Sequence, residues 1–82
     1  MTALEVIIAK KILDVLHDQD GRQVSPITIH GQIGGTATCG VTAFEGIIED
    51  LERLRYLNRM KTKFRGEMIN ITDAGEAARL EM

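Results

Sequence analysis

Six basic residues and no acid stand between positions 53 and 65: Arg53, Arg55, Arg59, Lys61, Lys63 and Arg65. Met60, Thr62 and Phe64 interrupt them with the period of a β-strand. That period puts Arg59, Lys61, Lys63 and Arg65 on one face. Cations in such a row neutralise the phosphates of a polyanion and release its condensed counterions. Met60 and Phe64 are then expected to turn toward the core. The same stripe can also be read as a sheet edge kept solvated by its lysines. Directly upstream, Glu45, Glu49, Asp50 and Glu52 form an acidic block. The other four basic residues share the rest of the chain with all twelve acids, so the formal net charge is −2 despite the stripe. A near-neutral total argues against a nucleic-acid partner, and the localised stripe argues for one.

Other chemistries are poorly supported. Gly35 to Thr42 has the glycine and threonine spacing of a phosphate-binding P-loop, with Val41 in place of its lysine. Without that lysine the contact to β- and γ-phosphates is missing. A chain of 82 residues is also too short for the parallel sheet behind such a loop. Glycine-rich backbone leading into a helix N-terminus can still hold one DNA phosphate. His17, His30 and Cys39 are the only soft ligands, and their spacing fits no zinc motif, so neither a metal nor a cofactor is expected. Cys39 reads as a small filler residue rather than a redox sensor, since no adjacent cation would activate it. No nucleophile lies beside a candidate base, so the chain is not expected to be an enzyme.

The elements that must position these residues follow from periodicity and end signals. Apolar residues make up 44% and charged residues 27%, a balance that favours a folded domain over disorder. The length predicts a single domain over residues 1–82. No apolar run is long enough for a membrane span, the N-terminus does not read as a signal peptide, and one cysteine fits a reducing cytoplasm. Leu4 to Leu16 predicts a helix, buried through Leu4, Ile8, Ile12 and Val15 or Leu16, with Thr2 and Glu5 as a capping box. Its apolar stripe is too wide for one core, so Val6 or Ile7 is expected to face a partner. Ser25-Pro26 signals a short helix over Ile27 to Ile33, with a strand over Val24 to Ile29 as the competing reading. Gly34 to Gly40 must be a loop. Thr42 and Glu45 spell a second capping box, opening a helix to about Tyr56 whose inner face is Phe44, Ile47, Ile48, Leu51 and Leu54. Glu49 and Arg53 make an i,i+4 pair on the other side. A hairpin follows, turning at Arg65-Gly66-Glu67, with Ile69 and Ile71 on the apolar face of its second strand. Thr72 caps a last short helix, Ala74 to Leu80.

This order, with two short motifs, resembles the winged helix-turn-helix superfamily and, within it, MarR- and PadR-type bacterial regulators. Leu51-Glu52-Arg53-Leu54-Arg55-Tyr56-Leu57 is similar to the end of that family's recognition helix, with Arg55 where glycine is usual. Ile71-Thr72-Asp73-Ala74-Gly75 is similar to its segment after the wing. The resemblance implies an α+β winged helix: a three-helix core, a two-stranded β-hairpin wing and a short C-terminal helix. It further implies a transcriptional regulator whose third helix enters the major groove of duplex DNA. The outward face of that helix would present Thr42, Ala43, Gly46 and Arg53, together with Glu49 and Asp50. Arg59, Lys61, Lys63 and Arg65 of the wing would track the backbone, with a log–log salt slope of roughly −3.6 per monomer for about four phosphate contacts. One such module has a small interface, so a homodimer is expected, with Val6 or Ile7 of the first helix and Leu80 and Met82 of the last as its surface. The alternative is a winged-helix adaptor that never reads DNA and offers Glu49 and Asp50 to a basic protein partner.

Overall fold

The computed structural model describes residues 1–82. Helix α1 spans Ala3–Asp18, α2 Pro26–Gln32 and α3 Val41–Arg53; strands β1 (Leu57–Thr62) and β2 (Gly66–Ile71) follow, and α4 covers Asp73–Glu81. A single 3₁₀ turn at Gly35–Ala37 joins α2 to α3. This is the α+β arrangement that the motifs implied. Helices α1 to α3 enclose one apolar cluster, and the antiparallel hairpin closes its open side.

The capping box of α1 forms as expected. Thr2 Oγ1 accepts the Glu5 N–H at 3.2 Å, and Glu5 Oε1 accepts the Thr2 N–H at 3.0 Å. These bonds favour the ionised Glu5, which holds its carboxyl below the ordinary value. Ile8, Ala9, Ile12, Leu13 and Leu16 enter the core. Leu4 does not: it lies one turn before Ile8, the first buried residue of the helix, and it stays 65% exposed. The helix expected over Ile27 to Ile33 forms, over Pro26–Gln32. The competing strand is reduced to Val24, which exchanges two backbone hydrogen bonds of 2.8 Å with Ile69 at the far edge of β2.

Thr42 does not cap α3. The helix begins two residues earlier than that cap would require, with Gly40 at the N-cap position and no side-chain cap, so Thr42 and Glu45 form no box. The other end also falls short of Tyr56. Arg53 is the last helical residue and Arg55 turns the chain at φ 65°. The Tyr56 N–H donates to the Leu51 carbonyl and the Arg55 N–H to the Glu52 carbonyl, both at 2.9 Å. These two bonds are a Schellman closure, which normally places glycine where Arg55 stands. Phe44, Ile47, Ile48 and Leu51 are buried, whereas Leu54, at the cap, is 48% exposed.

The phase of the hairpin is opposite to the expectation. Leu57 is buried and pairs with Ile71, and Arg59 pairs with Ile69, so Leu57, Arg59 and Lys61 share the inward face. A strand's side-chain period is two, and the buried Leu57 sets the phase for every residue after it. Met60 therefore points away, touching Gln23 Nε2 through its sulfur at 2.8 Å. The turn comes earlier than expected too. Lys63, Phe64 and Arg65 form a three-residue loop and Gly66, at φ 71°, opens β2. Phe64 is thus outside the core, at 92% exposure.

Candidate nucleic-acid interface

Positions 42, 46, 49 and 53 fall within a narrow sector of α3 opposite its buried face. Thr42, Ala43, Gly46, Glu49 and Arg53 are all exposed, so the structure brings the expected residues of this helix onto one outward surface. Because no side chain caps α3, the first-turn N–H groups at that end are left without an internal side-chain partner. Arg53 reaches back along the helix to Glu49 at 3.4 Å and Asp50 at 3.3 Å. Its side chain is largely exposed, so both pairs are weak and easily exchanged for other partners.

Glu45 and Glu52 lie on the flank of α3 that faces the hairpin, where Arg59 meets them. Its Nη2 contacts Glu45 at 3.1 Å, its Nη1 contacts Glu52 at 3.6 Å, and its Nε donates to Glu67 of β2. Hydrogen bonding to Glu67 and the three negative charges raise the Arg59 pKa above its ordinary value. A guanidinium placed on the inward face of β1 loses much of its water and needs such partners. Arg59 is therefore a clamp between α3 and the hairpin, and not a member of an outward basic row. That corrects the single outward row of four: Arg59 and Lys61 share the inward face of β1, Lys61 beyond the reach of the core, and Lys63 and Arg65 lie in the loop. The remaining three are exposed and belong to none of the chain's ion pairs.

The loop before α3 is tied down at both ends. Thr38 Oγ1 donates to the Ile33 carbonyl at 2.6 Å. His30 Nε2 lies 2.8 Å from the Cys39 carbonyl, and its ring sits 4.7 Å from that of Phe44. Cys39 itself packs against the core.

Beyond the hairpin, the two motifs meet. Thr72 Oγ1 donates to the Arg55 carbonyl at 2.6 Å and accepts the Gly75 N–H at 3.0 Å. The Thr72 N–H donates to the Tyr56 carbonyl at 3.1 Å. A methyl group on Gly75 would land on that same carbonyl oxygen, so only glycine lets α4 sit this close.

No protein-family model matches the chain, and no curated protein matches it. Among solved structures it is similar to the PcaV transcriptional regulator from Streptomyces coelicolor, determined in complex with its natural ligand. The TM-score is 0.71 at 16% identity, over 98% of this chain. The fold is a winged helix. The hairpin β1–β2 is its wing. The chain spans about half, 51%, of the length of PcaV. No helix of this winged helix is long and apolar enough to cross a membrane.

The exposed tip of the wing is the feature that residue types alone did not place. A three-residue loop closed by glycine in the left-handed region is a known hairpin form, and Lys63-Phe64-Arg65-Gly66 carries that signature. Alternation in step with Met60, carried on to a turn at Arg65-Gly66-Glu67 two residues later, is what points Phe64 to the core.

Proposed function

We propose that this chain is a DNA-binding transcriptional regulator, without enzymatic activity, that works in the cytoplasm. It contacts duplex DNA through the outward face of α3 and through the wing. Thr42, Ala43 and Gly46 are small enough for close approach to the major groove, and Arg53 exchanges its weak helix pairs for phosphate. Lys61, Lys63 and Arg65 neutralise backbone phosphates beside them. The observation that carries this reading is that these three cations are free of internal carboxylates while Arg59 anchors the wing to α3. The fold shared with PcaV, itself a transcriptional regulator, supports it.

Two copies are proposed to pair through α1 and α4, where Leu4, Ile7 and Leu80 are all more than half exposed and Met82 is 36% exposed. A titration of fluorescent random duplex at about 50 mM and about 200 mM salt tests the DNA reading. Binding should weaken with salt, and Lys61→Ala with Lys63→Ala and Arg65→Ala should abolish retention. Absence of binding at the lower salt overturns it. The adaptor alternative rests on the exposed Glu49 beside Asp50. Under that reading, Glu49→Lys with Asp50→Lys breaks a complex with a basic protein and leaves the wing variants silent.

A further inference from the structure

Phe64 is the aromatic side chain that the folded core does not use. Phe44 is buried and Tyr56 packs against the core, but Phe64 stands at the tip of the wing between Lys63 and Arg65. The tip is a built turn. Thr62 Oγ1 accepts the Arg65 N–H and donates to the Gly66 carbonyl, each at 3.0 Å. Gly66 supplies the positive φ that closes the loop. The Lys63 ammonium lies 5.8 Å from the centre of the Phe64 ring, so the ring already carries a cation at its face.

An exposed ring flanked by cations is poorly suited to an apolar protein pocket, whose own rim would have to supply carboxylates on both sides. It is well suited to a polyanion with a stacked apolar interior. The nearest acid along the strand, Glu67, is engaged by Arg59 and so does not repel phosphate from the tip.

We propose that Phe64 is a wedge that enters the minor groove of duplex DNA and partly unstacks one base step, with Lys63 and Arg65 on the flanking phosphates. This rests on the DNA-binding reading above, and adds to it a residue and a deformation. Apolar wedges of this kind bend the duplex away from the minor groove by about 20–90°. The cost of unstacking depends on the step, so pyrimidine–purine steps should be preferred at that position. The wing would then contribute sequence preference as well as affinity.

The experiment uses a duplex of about thirty base pairs, labelled at both ends for energy transfer and carrying 2-aminopurine at a central TA step. The full chain, Phe64→Ala, Phe64→Trp and the triple Lys61, Lys63, Arg65→Ala variant are compared at about 50 mM salt. Wild type should shorten the end-to-end distance and brighten 2-aminopurine. Phe64→Ala should bind roughly three- to tenfold more weakly with the same salt slope, and lose both signals. Phe64→Trp should restore them. Melting temperature is the check on folding, and so exposed a side chain should leave it unchanged. The wedge is overturned if Phe64→Ala bends and brightens the duplex as wild type does, or if wild type does neither. A change confined to sedimentation would assign Phe64 to a protein contact and overturn it as well. An equal loss on single strands would assign simple base stacking, with the same consequence. If wild type binds duplex through its three cations and Phe64→Ala is indifferent, the wedge alone fails. If nothing binds, the DNA reading fails with it.

Discussion

The withdrawal of Arg59 from the basic row changes the expected salt dependence of binding. At about −0.9 per phosphate neutralised, a wing with three free cations has a log–log slope near −2.7 per protomer, where four would give about −3.6. The informative perturbation is Arg59→Met combined with Glu67→Gln. It removes one positive and one negative charge from the cluster of Arg59 with Glu45, Glu52 and Glu67, so local net charge is unchanged. The clamp between α3 and the wing is lost, at about 1 kcal/mol for a partly exposed network of this kind. The wing's contribution to the slope should stay near −2.7 while affinity falls by a similar factor at every salt, giving parallel lines. Lys61→Met, by contrast, should reduce that contribution to about −1.8, because one phosphate contact disappears. Fluorescence anisotropy on a random duplex from about 50 to 200 mM salt reads both quantities. If the double variant flattens the line as much as Lys61→Met does, Arg59 leaves its carboxylates to bind phosphate and the clamp assignment is wrong.

Three further outcomes are expected. Gly75→Ala should destabilise the fold by about 2–3 kcal/mol, since the added methyl meets a backbone carbonyl that cannot step aside; calorimetry should find melting lowered by roughly 10–20 °C, and an unchanged transition would refute the close approach. Arg55→Gly should raise stability by about 1 kcal/mol, as glycine relieves the left-handed backbone at the end of α3, and a lowered melting temperature would count against this. Asp14, bonded by Lys10 at 2.9 Å and Arg79 at 3.2 Å, is held below its ordinary pKa of 3.8, chiefly by the Lys10 bond. Its stabilising effect is complete above that value and fades as pH falls through the lowered one. Asp14→Asn should therefore melt below wild type at pH 6 and approach it near pH 2.5, and a constant gap would exclude the linkage.

Much of the architecture could be read from local signals because those signals act within a turn or two of chain. The Thr2–Glu5 box, the Ser25-Pro26 start, Phe44 to Leu51 at helical spacing and the Thr72 cap each concern residues three or four apart, where steric and hydrogen-bond rules leave few options. The outward sector of α3 followed from its buried face by geometry alone. The motifs around Leu51–Leu57 and Ile71–Gly75 suggested the fold, but not why they occur together; contact between Thr72, Gly75 and the end of α3 supplies the reason. Where α3 begins was misread because both Gly40 and Thr42 can occupy an N-cap, and packing of the preceding loop selects between them.

The phase of the wing was beyond local inference. Met60 and Phe64 alternate with cations as well in one register as in the other, and what decides is the burial of Leu57 against the helical core together with its pairing to Ile71. That long-range choice turned Arg59 inward to three carboxylates and left Phe64 outside. Residue type and spacing determined which cations the hairpin carries; tertiary contact determined which of them stay free, because Arg59 reaches three carboxylates while Lys61 on the same face and Lys63 and Arg65 in the loop are held by none.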